Sequence, residues 1–165
     1  MMNIELRKIS LDDTINIVKW RNSPSVKKFL FSQEDITEEQ HIYYFKNYIE
    51  TGRVLQYIIS VDNIDCGTTF LKNINLDEKE AEFGIFIGKS EFRGKGIATF
   101  VVKKMIEIGF KSLNLKRIYL SVLKSNIAAV KSYEHAGFKQ TRILTNGYCR
   151  NKEYFDIVEM DIHVC

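Results

Sequence analysis

The stretch that decides the fold reads Arg93-Gly94-Lys95-Gly96-Ile97-Ala98, and it stands between a predicted strand and a predicted helix. The strand is the apolar run Ala81–Ile87, and the helix runs from about Gly96 to Leu113 with apolar residues at helical spacing. Another strand is predicted at Arg117–Leu123. A strand, a glycine-rich turn, a helix and a second strand in this order predict one β-α-β crossover.

The segments outward from this crossover mix helices with antiparallel strand pairs. Their order along the chain, β-α-α-β-β-β-α-β-α-β-β, predicts an α+β fold in three layers. We expect a central twisted sheet, mixed but mostly antiparallel, with helices on both faces. The dipeptide Asn146-Gly147 predicts a tight turn in a final hairpin. The other predicted strands are Ile4–Ile9, Val54–Val61, Cys66–Ile74, Phe138–Thr145 and Tyr154–Ile162, and the other predicted helices begin near Ser10, Thr37 and Asn126.

Composition indicates a globular protein. The chain has 165 residues, of which 45% are hydrophobic and 27% charged, and it contains a single Pro. No Gly-, Ser- or Pro-rich stretch suggests a linker, so we expect one domain over residues 1–165. The net charge is +3, and no run of five or six like charges is present, which argues against a nucleic-acid partner.

The sequence does not show the patterns of a secreted, a membrane-spanning or a metal-binding protein. The first residues lack the basic and apolar regions of a signal peptide, and no apolar run approaches the roughly 18 residues that span a bilayer. The cysteines and histidines lack the spacing of metal ligands. We therefore predict a cytoplasmic protein with no metal and no membrane contact. The residues concerned are Cys66, Cys149, Cys165, His41, His135 and His163.

The glycine-rich turn predicts an anion site. Backbone amides at a helix N-terminus have no partners within the helix and lie at the positive end of its dipole. Gly94 and Gly96 would let those amides approach a phosphate without a side chain between them. The Walker and dinucleotide fingerprints are absent. What remains is Arg-x-x-Gly-x-Ala, a pyrophosphate turn, or alternatively a glycine-rich turn without a ligand.

The spacing Arg93-x-x-Gly96-x-Ala98 resembles the acyl-CoA pyrophosphate motif of the GNAT N-acetyltransferases. Thirty residues after Gly96, the segment from Asn126 through Tyr133 to Gly137-Phe138 is similar to the second signature of that family. The resemblance covers Ile4 to Ile162. It implies the GNAT fold, acetyl-CoA as co-substrate without a metal, and direct transfer of the acetyl group to a primary amine.

The resemblance also implies a role for each cofactor-contacting residue. The amides of the glycine-rich turn would hold the CoA pyrophosphate, with Arg93 adding charge. The side chain of Asn126 and the backbone of the preceding strand would contact the pantetheine arm, and Tyr133 would lie near the thioester sulfur. The turn residues are Gly94, Lys95, Gly96, Ile97 and Ala98, and the strand residues are Phe83, Ile85, Phe86 and Ile87.

Tyr133 and Glu82 are the predicted catalytic residues. A phenol remains protonated at neutral pH and can give its proton to the departing thiolate. The alternative for Tyr133 is a core tyrosine on an amphipathic helix. Glu82 could deprotonate the incoming ammonium directly or through a water, or it could orient the substrate without taking a proton.

The first third of the chain carries the predicted acceptor site, with Trp20-Arg21-Asn22, His41 and also Glu82 as substrate-binding residues. This pattern is similar to the UDP-4-amino-sugar N-acetyltransferases of pseudaminic acid biosynthesis. Aromatic faces can stack on uracil or sugar, while Arg21, Lys27 and Lys28 can bind a diphosphate. Alternatively, the aromatic residues are core and the basic ones ordinary surface.

We therefore expect a small-molecule amine acceptor, with a sugar nucleotide as the first candidate, and a homodimer as the candidate oligomeric state. The first alternative acceptor is a protein N-terminus, as in the ribosomal-protein acetyltransferases. An antibiotic or a polyamine is the next. A non-catalytic acyl-CoA-binding module would belong to a different class, whose mark would be the loss of Tyr133.

Overall fold

A computed structural model describes all residues, 1–165. The strands are β1 (Ile4–Lys8), β2 (Leu55–Val61), β3 (Ile64–Asn75), β4 (Glu80–Ile87), β5 (Arg117–Leu123), β6 (Lys139–Arg150) and β7 (Glu153–His163). The α-helices are α1 (Thr14–Asn22), α2 (Pro24–Lys27), α3 (Glu38–Tyr44), α4 (Ile97–Glu107) and α5 (Ile127–Ala136). Helix α3 continues in a wider π-helical turn over Phe45–Ile49, and α4 does so over Ile108–Ser112. No helix is both long and apolar enough to cross a membrane.

The strands form one seven-stranded sheet in the order β1-β2-β3-β4-β5-β7-β6. Every neighbouring pair is antiparallel except β4 and β5, which are parallel and joined by the crossover through α4. The predicted α+β class and the mixed, mostly antiparallel sheet are therefore confirmed.

The two faces of the sheet are covered by different helices. Ile58 and Ile59 are neighbours on β2, so their side chains point to opposite faces. Ile59 lies in the main core with Val101 of α4, whereas Ile58 lies in a second cluster with Ile17 and Trp20 of α1. Helix α5 contributes Tyr133 to the main core. Hence α1 and α3 cover one face, which we call the N-terminal face, and α4 and α5 cover the opposite face, which we call the C-terminal face.

The turn predicted at Asn146-Gly147 is wrong. Strand β6 continues to Arg150, and the hairpin turns at Asn151-Lys152, whose φ angles are +50° and +66°. Two consecutive residues at positive φ make the turn type that joins two-residue hairpins. Asn146 lies instead in an irregularity of the β6–β7 pairing, where its amide donates to Asp156 Oδ1 at 2.9 Å.

Candidate active site

A gap between β4 and β5 creates the main cleft of the molecule. The two strands pair only over Glu80–Glu82 and Arg117–Tyr119, and they diverge after these residues. The opposite edge of β4 stays paired with β3 as far as Ile87. Beyond Glu82, the edge of β4 that faces the gap has no strand partner. Its backbone N–H and C=O groups are therefore free to bind a ligand in the gap, because backbone polar groups require partners. The cleft that opens there has a volume of about 920 Å³.

The gap connects the two faces of the sheet. Phe70, Lys72 and Glu82 line the cleft from the N-terminal face, and Phe83 and Tyr133 line it from the C-terminal face. Glu82 is the last residue of β4 that pairs with β5, so it stands at the point where the gap begins. A ligand that enters along α4 and α5 can therefore meet a ligand held under α1 and α3.

The glycine-rich turn lies at one end of this cleft. Gly94 and Gly96 have φ angles of +71° and +77°, and a Cβ at either position would meet no atom within 4 Å. Gly96 is the N-cap of α4, whose first backbone hydrogen bond runs from the Phe100 amide to the Gly96 carbonyl. The amides that precede Phe100 have no helical partner and face the predicted pyrophosphate position.

Arg93 and Lys95 act differently within this turn. The Arg93 guanidinium donates to the Ile87 carbonyl at 3.0 and 2.6 Å and to Ser25 Oγ at 3.1 Å. Arg93 thus ties the turn to the end of β4 and to α2 while its charge stays at the cleft. The Lys95 ammonium lies 5.7 Å from the centre of the Phe92 ring, and its side chain is not part of the cleft wall.

Asn126 connects the cleft with the start of α5. Its Oδ1 accepts a hydrogen bond from the Ala129 amide at 3.4 Å and so caps the helix. The Nδ2 group, a donor, remains at the cleft wall. The same side chain can therefore cap α5 with its Oδ1 and donate a hydrogen bond to a ligand with its Nδ2.

Tyr133 lies deep in the cleft and is only 7% exposed. Its ring packs edge-on against Phe83, with centroids 5.9 Å apart, and against Phe138 at 6.0 Å. Burial raises the pKa of the Tyr133 phenol far above its usual range. The phenol is therefore fully protonated at neutral pH, which is the state that a proton donor requires.

Glu82 lies across the gap from Tyr133 and is partly exposed. Its Oε2 accepts a hydrogen bond from Asn73 Nδ2 at 2.8 Å, and its Oε1 lies 3.8 Å from Lys72 Nζ. These contacts hold the carboxylate in place at the cleft. The arrangement suits either proton acceptance or orientation of an ammonium group.

The structure corrects the prediction that Trp20 contacts the acceptor. Its side chain is 4% exposed and packs in the second cluster with Ile9, Ile17 and Ile58. The indole lies against Gly88, where a Cβ would come within 2.1 Å of Trp20 Cγ. Trp20 therefore fixes α1 on the sheet and is not part of the cleft wall.

Asn22 is also removed from the predicted acceptor site. Its side chain exchanges two hydrogen bonds, both of 2.8 Å, with the backbone of Ile36. Asn22 thus fixes the segment between α2 and α3 and does not line the cleft. Lys27 is engaged as well, because it pairs with Asp35 at 2.5 Å, whereas Lys28 faces the cleft.

Arg21 and His41 do lie in the cleft wall. Arg21 Nη2 donates to the Ser32 carbonyl at 3.2 Å, and His41 Nδ1 lies 2.9 Å from Thr14 Oγ1. Burial lowers the pKa of the His41 imidazole, although Asp13 opposes this shift, so the ring is neutral at pH 7. Burial also lowers the pKa of Arg21, which remains a cation.

Several cleft residues were not predicted from the sequence. Gln56, Phe70 and Lys72 come from β2 and β3, where side chains alternate between the two faces. Phe70 on β3 is paired with Gly84 on β4, and a Cβ at Gly84 would come within 2.2 Å of the Phe70 ring. The alternation of side chains along β2 and β3 could have indicated which residues share a face. The register between β3 and β4, which brings Gly84 under Phe70, could not be predicted from the sequence.

No group of three or more His, Cys, Asp or Glu side chains comes together to hold a metal ion. The groups of the cleft that can take part in proton transfer or anion binding include the phenol of Tyr133, the carboxylate of Glu82 and the backbone amides of the glycine-rich turn.

Known proteins show where this architecture occurs. A spermidine N(1)-acetyltransferase of Escherichia coli K12 is 29% identical over 97% of this chain and 86% of its own. An acetyltransferase of Campylobacter jejuni named PseH is 25% identical over 74% of each chain. The crystal structure of a Vibrio cholerae spermidine N-acetyltransferase in complex with CoA and spermine superposes with a TM-score of 0.89 at 26% identity, covering 97% of this chain and 95% of that one.

The family match agrees with the geometry of the cleft. The acetyltransferase (GNAT) domain family matches residues 3–139, which include the glycine-rich turn and Tyr133. The matched segment also contains the parallel β4–β5 pair with its gap and the left-handed turn before α4. The chain therefore belongs to the GNAT acetyltransferase family and is an acetyl-CoA-dependent N-acetyltransferase.

Proposed function

We propose that this enzyme acetylates the primary amine of an anionic small molecule, namely the 4-amino group of a UDP-linked amino-deoxy sugar. The observation that carries this proposal is the charge of the acceptor end, the part of the cleft under α1 and α3. Three cationic side chains, Arg21, Lys28 and Lys72, line it, and Glu82 is its single carboxylate. A diphosphate fits such a surface.

The aromatic lining supports the same acceptor. Phe29, Phe31, Tyr44 and Phe70 line the acceptor end beside the cationic groups. Flat aromatic faces can stack on a nucleotide base or cover the apolar face of a sugar. Tyr148 donates a hydrogen bond to the Phe31 carbonyl, so the hairpin of β6 and β7 holds the segment that carries these rings.

Two side chains divide the proton transfers in the proposed reaction. Glu82 accepts a proton from the acceptor's ammonium group, directly or through a water, so that the nitrogen lone pair can form a bond to the thioester carbonyl carbon. Tyr133 donates its proton to the sulfur as the carbon–sulfur bond breaks. The phenolate takes up the excess proton of the amide nitrogen, and Glu82 releases its proton to solvent, which restores the starting state.

A polyamine is the second candidate acceptor, because two of the relatives are named for spermidine. The charges of this cleft oppose it. A polyamine carries several positive charges at neutral pH and would lie against Arg21, Lys28 and Lys72, with Glu82 the single carboxylate in the cleft wall and Asp35 acting on Arg21 from outside it. Electrostatics therefore favours the anionic acceptor over the polyamine.

The test is a competition assay that measures thiol release from acetyl-CoA and identifies the acetylated product. A UDP-4-amino sugar, spermidine and an N-terminal ribosomal-protein peptide are supplied at equal concentrations. We expect the UDP-4-amino sugar to be acetylated fastest and the same amino sugar without its nucleotide to react much more slowly. Faster acetylation of spermidine or of the peptide would refute the proposed acceptor.

The single-domain organisation over residues 1–165 and a homodimeric state remain predictions. Strands β1 and β6 form the two edges of the sheet. Light scattering of the purified protein with and without acetyl-CoA measures the oligomeric state directly.

A further inference from the structure

We infer that Arg21 Nη1 and His41 Nε2 form a two-donor subsite that recognises oxygen atoms of the acceptor. This inference rests on the proposed function and deepens it, since it assigns the contacts that select the acceptor. The subsite lies in the acceptor end, apart from the glycine-rich turn and from Tyr133.

These two atoms share a property that distinguishes them from every other side-chain nitrogen and oxygen of the chain. Both are buried, and neither has a hydrogen-bond partner in the protein. Both residues line the same cleft. Buried polar atoms are almost always paired, and an unpaired one costs free energy. Because both atoms belong to side chains that line one cleft, we assign the partner that each lacks to the ligand that occupies this cleft.

The tautomer of His41 follows from its only protein partner. His41 is 4% exposed, and its Nδ1 lies 2.9 Å from Thr14 Oγ1, which is itself buried. If the Thr14 hydroxyl donates to Nδ1, the hydroxyl proton has an acceptor and the ring proton of His41 resides on Nε2. The opposite tautomer would leave the buried hydroxyl proton without an acceptor. Nε2 is thus a neutral donor that Thr14 holds in place.

Arg21 supplies the second donor. Its Nη2 donates to the Ser32 carbonyl at 3.2 Å, which fixes the plane of the guanidinium. Nη1 belongs to the same rigid fork and can only donate, because a guanidinium has no acceptor. Its geometry is therefore set before the ligand arrives, and little side-chain entropy is lost on binding.

The chemistry of the pair selects among amines. A ligand that satisfies two donors has to present acceptors, such as hydroxyl, carbonyl or phosphate oxygens. An amino sugar carries such oxygens next to its amine. The nitrogens of a polyamine are ammonium donors at neutral pH and can satisfy neither Arg21 nor His41. The subsite thus excludes amines that lack oxygen.

The experiment compares four variants with the wild-type enzyme. His41→Leu and Arg21→Met remove the donors, whereas His41→Gln and Arg21→Lys retain an N–H donor at the end of the side chain. His135→Leu, an exposed position on α5, serves as the matched control. Steady-state kinetics with the UDP-4-amino sugar at saturating acetyl-CoA give the acceptor KM and kcat, and thermal melts report folding.

We expect His41→Leu and Arg21→Met to raise the acceptor KM by about 10- to 100-fold, the range for one lost hydrogen bond at a buried site. The KM for acetyl-CoA should stay within about twofold, since the CoA end is unchanged, and kcat should fall far less than the acceptor KM rises. His41→Gln and Arg21→Lys should recover part of the loss. A deoxy analogue of the acceptor that lacks a contacted oxygen should lose affinity for the wild type and lose little for His41→Leu.

Two failures can be told apart. If the wild type prefers the UDP-4-amino sugar but the folded donor-removing variants keep the wild-type acceptor KM, the subsite is refuted and the proposed function stands. In that case the two nitrogens bind ordered water only. If the wild type prefers spermidine, the proposed function itself fails, whatever the variants do.

Discussion

The two ends of the cleft are built in different ways. The CoA end consists of a contiguous turn, Gly94 to Ala98, a helix N-terminus and the free edge of β4, and its predicted contacts are mostly backbone groups. The acceptor end consists of side chains from α1, α3, β2, β3 and the segment after α2. One end is therefore encoded locally, and the other is assembled from segments that are distant in sequence.

This difference determines what similarity to known proteins can reveal. Backbone contacts tolerate substitution, and the whole fold superposes with a TM-score of 0.89 at only 26% identity. Side-chain contacts change with each substitution, so the acceptor can differ between proteins that share the CoA end. The family match therefore establishes acetyl transfer, and the choice of acceptor has to be argued from residues such as Arg21, Lys28 and His41.

The largest expected effect concerns the phenol between the two ends. Tyr133→Phe keeps the ring packed against Phe83 and Phe138 and removes only the donor. We expect kcat to fall by about 10²–10⁴-fold, the range for general acid catalysis, with little change in CoA affinity. Tyr57→Phe, in the core outside the cleft, is the control. A Tyr133→Phe enzyme with more than about half of the wild-type kcat, under conditions where chemistry limits the rate, would rule out the acid role.

The second prediction tests whether the CoA end depends on backbone conformation. Gly96→Val adds a branched side chain at the left-handed N-cap of α4, next to the free amides at the start of this helix. We expect about 100-fold weaker CoA binding by calorimetry, comparable to the loss of one strong hydrogen bond to a charged group.

Gly52→Val is the matched control for Gly96→Val. Gly52 has a φ of +79°, against +77° for Gly96, and a Cβ at either position meets no atom within 4 Å. Both variants should therefore lose similar stability, about 1–2 kcal/mol of backbone strain, while only Gly96→Val loses CoA affinity. Equal CoA affinity in the two variants would contradict the pyrophosphate assignment.

The third prediction concerns the boundary between the two ends. Glu82→Gln should lower kcat/KM for the acceptor by about 10-fold. The loss is moderate because Glu82 is partly exposed, so solvent water can take over part of its role as proton acceptor. Glu80→Gln, two residues earlier on β4 and paired with Arg117 at 2.9 Å, is the control. Identical kcat/KM values for the Glu82 variant and the wild type would leave this carboxylate without a catalytic role.

The smallest expected effect is a loss of folding stability at low pH, caused by His41 at the acceptor end. Burial lowers the folded-state pKa of His41 below its ordinary value of 6.5, with Asp13 opposing the shift. The unfolded chain therefore binds the proton first as the pH falls, and the folded state loses stability below about pH 6.5. Chemical denaturation at pH 7.5 and pH 5.5 measures the difference, which should shrink in His41→Gln. An undiminished difference would assign the acid sensitivity to other groups.

The local structure of the CoA end could be predicted from the sequence. A strand, a turn with two glycines and an amphipathic helix define the backbone locally, so neighbours in sequence are neighbours in space. The N-cap amide of Asn126 and the tyrosine seven residues later are likewise fixed by one helix, α5. Such features need no knowledge of the rest of the chain, which is why the family and its cofactor were visible from the residues alone.

The acceptor end was decided by the tertiary structure. Trp20 and Asn22 stand next to Arg21 in sequence, yet successive residues on a helix point in different directions, so only Arg21 reaches the cleft. The turn at Asn151-Lys152 prevailed over Asn146-Gly147 because the long β6–β7 pairing set the register. Phe70 lies against Gly84 only through the pairing of β3 with β4. The sequence by itself determined what the protein does with acetyl-CoA, because that information lies in local backbone geometry. The three-dimensional packing determined which side chains meet the acceptor, because those residues come together only when distant segments fold onto one sheet.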